Sequence, residues 1–476
     1  MRTRFRNRYL VFAYMIVLAI AFVVGCTTRE DPSEELVVCG NHTCGQLTMV
    51  TIDTNGPGGY QYLEPAISPD GTRVAFSADW ASIPSLPEDE VSDPILNRQI
   101  LVMPLPADPW SEEMNSRNPV PDIQELGAEL VLTRQFISRI GGGQDFVDDP
   151  TSGVMTKASP NWIDDSTLLI QTRFERRDRL VSVDISDLGN AQVTPLFYEP
   201  QDTLTTGFRF WYHHDPSLSP DKRWCVFTRF GCDDESNVED ANCDDEQLWV
   251  IDMTTTDDPV AVTAFPITSG AVSIEDPSWS PDGRTIVFAA TTDLVGDGTG
   301  FVGELFRVDF DPEAAETGVV PLDQNLRRIT TTEVSMGDPL VGLHNYAPVF
   351  SADGLDVIFT SSRRAPGSTQ RGRNLWRVPA DGRLEPEMVF FSRYDDIHPT
   401  FDWETGSFLF SSRMGFPTEM LDAIEQETID FFTNVYNDTA RVPLTEVEIL
   451  RRAADDREEL ELFEGKMGHL YMFRGL

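Results

Sequence analysis

Short apolar runs recur along the chain, each split by a compact polar turn. The clearest instance is Asp276-Pro277-Ser278-Trp279, then Ser280-Pro281-Asp282-Gly283, then Thr285-Ile286-Val287-Phe288-Ala289. β-branched and aromatic residues bounded by Pro, Asp and Gly predict strand, tight turn, strand. Pro presets φ for the turn, Asp bonds its own backbone, and Gly supplies a positive φ. The unit returns six times, anchored on Pro65, Pro160, Pro216, Pro277, Pro348 and Pro399. An apolar residue follows two later: Ile67, Trp162, Leu218, Trp279, Phe350 and Phe401. An acid follows five later: Asp70, Asp165, Asp221, Asp282, Asp353 and Glu404. Phe stands eleven later in every copy but the second, which has Gln171.

Two weaker strands follow each unit. Leu305-Phe306-Arg307-Val308 and Leu375-Trp376-Arg377-Val378 typify the third, Val262-Thr263 and Ile329-Thr330 the fourth. Units of this kind stack on their neighbours. The expected fold is all-β, a six-bladed β-propeller of four-stranded blades over residues 46–476. The last unit finds its third strand only at Leu470-Tyr471-Met472-Phe473, with no fourth after it. Leu47-Thr48-Met49-Val50 is the expected fourth strand, so that the N-terminal strand closes the ring and removes an exposed edge. Residues 414–467 read as a helical insertion in the last blade. Met420, Leu421, Ile424, Phe431 and Phe432 are spaced helically, and Thr445-Glu446-Val447-Glu448 has the form of a capping box.

The Ser-Pro-Asp-Gly turns with Phe downstream resemble the WD40-like (PD40) repeats of TolB-like propellers, over roughly residues 46–476. The resemblance implies the fold. It does not imply the Tol–Pal partnership: TolB carries an α/β domain ahead of its propeller and is soluble in the periplasm. Here only about twenty residues separate Cys26 from the first strand.

The chain's start changes the picture of where it works. Arg2, Arg4, Arg6 and Arg8 precede an apolar run from Tyr9 to Val24, which ends at Gly25-Cys26. Residues 1–25 are expected to be a signal peptide. Val23-Val24-Gly25-Cys26 resembles a bacterial lipobox, which implies lipidation of Cys26 and a lipidated linker over 26–45. A plain transmembrane anchor is the alternative. Thr27, where inner-membrane retention favours Asp, points to the outer membrane, facing the periplasm or the cell surface. Export fits two local disulfides, Cys39–Cys44 and Cys232–Cys243, with Cys225 left as a buried thiol. Zinc at Cys39, His42 and Cys44 is disfavoured by the tight spacing and the lack of a fourth ligand.

Net charge is −41, which argues against nucleic acid, whose phosphates need a basic face. The chain contains no Gly-x-Ser-x-Gly elbow, phosphate loop, His-Glu-x-x-His or Cys-x-x-Cys-His motif. The residues just before the six prolines are Glu64, Ser159, Asp215, Asp276, Ala347 and His398. In register they stand where the innermost strands begin, at the channel mouth. Glu64, Asp215, Asp276 and His398 are therefore the candidate binding residues, suited to a basic group or a hard cation. No cofactor is expected, with calcium the alternative. The structural alternative is that each acid accepts backbone N–H groups and fixes its blade. Most long insertions fall on the face reached after second and fourth strands, and loops on a rigid scaffold carry function. The leading expectation is a lipid-anchored envelope propeller, not an enzyme, that binds a protein or peptide or serves as an envelope-complex subunit. A channel-mouth hydrolase or lyase and a ligand-sensing module are the alternatives.

Overall fold

The computed structural model describes residues 46–49, 62–78, 99–105, 129–130, 139–140, 144–145, 156–174, 177–188, 191–196, 210–232, 245–255, 264–270, 273–291, 294–295, 303–318, 320–332, 344–363, 373–390, 396–402, 407–412 and 469–474, with isolated positions between 426 and 450. All lie in the unit Cys39–Leu476. The expected signal peptide, Cys26, Cys39, Cys44 and Cys243 lie outside the described residues.

The fold is an all-β propeller of four-stranded blades. The described strands include six four-stranded antiparallel sheets and one small hairpin, Arg139–Ile140 with Gln144–Asp145. The first strands of the six sheets are Tyr62–Ile67, Thr156–Asp164, Phe210–Leu218, Ile274–Trp279, Asn345–Phe350 and Asp396–Asp402. Their second strands are Arg73–Ala78, Thr167–Phe174, Trp224–Cys232, Thr285–Ala290, Asp356–Ser361 and Ser407–Ser412. Each first strand lies against the first strand of the next sheet, and that of the sixth lies against that of the first. In the sixth sheet the outermost strand is Gln46–Met49, paired antiparallel with His469–Arg474 in the register Leu47 to Phe473.

The core sits between sheets, and strand alternation explains it. Ile286 and Phe288 face the third sheet and pack with Trp224, Val226 and Leu248. Val287 and Ala289, on the other side of the same strand, face the fifth sheet and pack with Phe350, Val357 and Phe359. A second strand buried on both faces must read as a continuous apolar run, as Ile286-Val287-Phe288-Ala289 does.

Each Ser-Pro-Asp turn closes on itself. Ser280 Oγ donates to Asp282 Oδ1 at 2.6 Å, and the same carboxylate oxygen accepts the Arg284 N–H at 3.0 Å. The Thr285 N–H donates to Ser280 Oγ at 2.9 Å, and Gly283 takes φ +67. The second copy corrects the expected register. There Asp164, not Asp165, accepts the N–H two residues on, from Ser166 at 2.7 Å. Its turn is one residue shorter, so Ile170, at 1% exposure, takes the place of the repeat's Phe. Gln171 therefore belongs with the next position, held elsewhere by Ser77, Thr228, Ala289, Thr360 and Ser411.

Of the expected insertion, the described residues include Gln426, Ile429 and Glu448–Leu450 in helical conformation. Glu448 Oε2 accepts from Thr445 N–H at 2.8 Å, and the Glu448 N–H donates to Thr445 Oγ1 at 3.4 Å, the reciprocal pattern of a capping box. The rest of 414–467 lies outside the described residues.

Candidate functional site

The six residues before the repeat prolines share one backbone state. Glu64, Ser159, Asp215, Asp276, Ala347 and His398 all have positive φ, between +48 and +53. In each case that residue and its proline oppose a single residue of the second strand. Asp276-Pro277 opposes Phe288, between the pairs Glu275–Ala289 and Ser278–Val287. This is a β-bulge, and a left-handed residue at its first position normally calls for Gly. A non-Gly residue there costs about 1–3 kcal/mol and persists only where its surroundings enforce it.

The enforcing contact is a relay from sheet to sheet. Glu64 Oε2 accepts the Ser159 N–H at 2.8 Å. Ser159 cannot reach onward, and Gln171 Oε1 accepts the Asp215 N–H at 3.0 Å instead. Asp215 Oδ2 accepts from Asp276 N–H at 3.4 Å, and Asp276 Oδ2 from Ala347 N–H at 2.8 Å. Ala347 has no acceptor, and Thr360 Oγ1 takes the His398 N–H at 3.2 Å. Each step satisfies an inner-strand donor that the bulge leaves without a ladder partner. A second tie runs beside it: the indoles of Trp162 and Trp279 donate to Ala66 O and Ser217 O of the preceding sheets, at 2.9 and 3.0 Å.

The structure thus gathers the expected acids but gives them a bonded role. Burial pushes the Asp215 carboxyl up to about 6, against the pull of His214 and of the Asp276 N–H. Asp276 is raised well above the usual carboxylate range, first by burial and then by the charge of Asp215. Burial also lifts Glu246 to about 7, although the Ile274 N–H donates to it at 2.6 Å. Glu64 and Glu275 add negative field to this group. The His398 ring is edge-on to Tyr346, with ring centroids 6.0 Å apart. His213 is buried, with its ring 5.6 Å from Phe227. Among the described residues no cluster of three or more His, Cys, Asp or Glu is placed to hold a metal ion. Cys232 is disulfide-bonded, its expected partner Cys243 lying outside the described residues. Cys225 is a buried free thiol, and burial pushes its pKa up. No described helix is long and apolar enough to cross a membrane.

A pocket of about 440 Å³ opens between the fourth and fifth sheets. It sits at the ends of their second strands and the starts of their first strands, on the insertion-rich face. Its floor is Ala289, Ala290 and Gly303, and its walls carry Glu275, His344, Tyr346 and Arg373. Ser273 Oγ donates to Glu275 Oε1 at 2.8 Å, and Arg373 Nη1 to Tyr346 Oη at 3.3 Å. The His344 N–H donates to Ser362 Oγ at 2.8 Å. Gly303 lets the backbone come close to His344: a Cβ there would meet His344 Nδ1 at 3.0 Å, tighter than ordinary contact. The cavity arises because the fourth sheet ends its second strand in Ala-Ala. Four other copies place larger side chains there, Gln171-Thr172, Thr228-Arg229, Thr360-Ser361 and Ser411-Ser412, and the first has Ser77-Ala78. The residues just before the prolines give no sign of this pocket. The signal was one place earlier, where His214, Glu275 and Tyr346 are polar and Leu63, Ala158 and Ile397 are not.

No protein-family model and no curated protein matches the chain. Among solved structures it is similar to TolB from Acinetobacter baumannii, at 14% identity and a TM-score of 0.39 over 73% of this chain and 62% of that one. A Mycobacterium tuberculosis puromycin-hydrolyzing peptidase aligns at 12% identity and a TM-score of 0.41, over 79% of this chain and 47% of that one. An oligogalacturonate lyase in complex with manganese aligns at 13% identity and 0.38, over 78% and 80%. The chain thus spans less than two thirds of the length of that TolB, and of the peptidase less than half. The fold assignment rests on the strand order of the chain itself.

Proposed function

We propose that the chain is a non-enzymatic binding module of the cell envelope, tethered by a lipid on Cys26, that takes a protein or peptide on its insertion-rich face. In this reading the six sheets are six blades of one ring, closed by Gln46–Met49, and Cys232 pairs with Cys243. The observation that carries it is the contrast between the two polar groups on that face. The channel-mouth carboxylates of Glu64, Asp215 and Asp276 accept inter-sheet N–H groups, which suits holding a shape more than turning over a substrate. Glu275 and Arg373 instead line an open pocket beside them. A general acid or base must reach substrate within hydrogen-bond distance, and a buried acid tied to its neighbour's backbone is poorly placed for that. The acids still set a negative field at the mouth, which attracts a basic group on a partner. No cofactor enters this reading.

Affinity capture of the full chain from detergent-solubilised envelopes tests it. A stoichiometric envelope protein is expected, reduced by Glu275→Arg. Labelled palmitate is expected to enter the wild-type chain but not Cys26→Ala. Hydrolytic or lyase turnover without a partner, abolished by His398→Ala, would contradict the reading.

A further inference from the structure

We infer that the face opposite the pocket, where first strands turn into second, lies on a lipid bilayer, with Leu355, Leu384 and Leu322 set into its boundary. Among the described residues these are the most exposed large apolar side chains, at 68%, 66% and 50%, and all three stand on that face. Leu355 is in the turn between the first and second strands of the fifth sheet. Leu384 is in the connection between that sheet's third strand, Asn374–Pro379, and its fourth, Glu387–Phe390. Leu322 is in the same connection of the fourth sheet, between Glu304–Asp309 and Arg327–Arg328. One exposed leucine means little. Three on one face of two adjoining sheets mark an interaction surface.

Their supports are fixed. The Ala380 N–H donates to Leu355 O at 2.8 Å, which ties the two fifth-sheet loops together. Arg307 Nη1, from the fourth sheet, donates to Ala380 O at 3.1 Å. Gly382 passes so near the fourth sheet that a Cβ would meet Ile329 Cα at 2.9 Å.

The path of the chain points to what covers this face. In the sixth sheet Gln46 stands opposite Arg474, and Arg474 opposite Ser407. Ser407 begins the second strand, so Gln46 is at the same end, on the turn face. The chain therefore enters the sixth sheet from this face, with only residues 27–45 between Gln46 and Cys26. A lipid on Cys26 brings the turn face toward the membrane. Apolar side chains that enter the boundary then add binding in proportion to the area they bury. The pocketed face is left toward the partner. On the turn face Arg223 pairs with Glu316, Arg284 with Glu313 and Arg383 with Asp381. These basic groups are met by acids, so leucine contact with zwitterionic lipid, not attraction to anionic lipid, carries the binding.

The inference rests on the reading of a lipid on Cys26, yet the two fail separately. Quenching by brominated phosphatidylcholine tests it. The full chain, purified from envelopes, is reconstituted into these vesicles. A fluorescent side chain replaces Leu384 in one sample and Thr291, at the pocket, in another. Quenching is expected at 384 and not at 291. Leu355→Asp should cost most of the quenching at 384. Leu355 is exposed, so thermal melting of that variant should match wild type and controls for folding. Quenching at neither position, equally at both, or at 291 alone would overturn the inference, as would undiminished quenching in Leu355→Asp. The pattern is read whether or not labelled palmitate enters the chain, so absence of label with quenching at 384 would sink the lipid reading alone.

Discussion

Asp215→Asn removes a charge from the inter-sheet relay while keeping its shape. Asn retains a carbonyl oxygen for the Asp276 N–H, and it tolerates the left-handed backbone at φ +49 better than most residues. What it loses is the penalty for ionising a buried acid. Asp215 is raised from 3.8 to about 6, and each unit is about 1.4 kcal/mol, so the penalty approaches about 3 kcal/mol. The sign follows from proton counting. Between about pH 4 and pH 6 the native protein holds a proton that the unfolded chain has released. Stability therefore declines as pH rises through that window, and the penalty is complete above it. Asp276 should respond in the same sense, because the charge of Asp215 is one of the causes that raise it. Urea unfolding at pH 4.5 and pH 8.0 measures the outcome. The variant should exceed wild type by about 1 kcal/mol at the lower pH, where the unfolded chain has already released most of its proton, and by up to about 3 kcal/mol at the higher. A variant less stable at pH 8.0, or a difference that ignores pH, would refute the burial of a charge at this position.

The relay and the turns make further predictions. Gln171→Leu leaves the Asp215 N–H without its side-chain acceptor and should cost about 1–3 kcal/mol, read by urea unfolding; a neutral effect would remove Gln171 from the relay. Gly382→Ala should destabilise more than Gly283→Ala, read by thermal melting. Both glycines have φ +67, but a Cβ at 382 meets Ile329 Cα at 2.9 Å, whereas at 283 its nearest neighbour is Pro220 Cδ at 3.7 Å. The second change should cost about 1 kcal/mol, the backbone effect alone. Phe288→Ala should cost about 3–5 kcal/mol, because the ring is fully buried opposite the bulge of its own sheet.

What the sequence made legible was what is local. Ser280, Asp282 and Gly283 bond within six residues, so the turn could be read from its letters and the strands on either side followed. The equivalence of the six pre-proline residues was legible for the same reason, since a fixed offset from proline gives them one backbone state. The second copy misled because its turn lost one residue. Counting from Pro160 then placed Gln171 against the Phe of other copies and hid its task as the acceptor that Ser159 cannot supply. The pocket was hidden more deeply. It is made by side chains that are missing, at Ala289 and Ala290, and by Tyr346 and Arg373 from the next sheet. No pattern within one repeat reports on the junction between two.

Site-specific crosslinking from the pocket rim puts the binding-module account to its most direct test. A photoreactive side chain in place of Thr291, which lines the pocket, should trap a discrete envelope partner in intact cells. The same group in place of Leu355, 68% exposed in a first-to-second-strand turn on the opposite face, should trap none. Equal crosslinking from both positions, or from Leu355 alone, would contradict the assignment of function to the pocketed face.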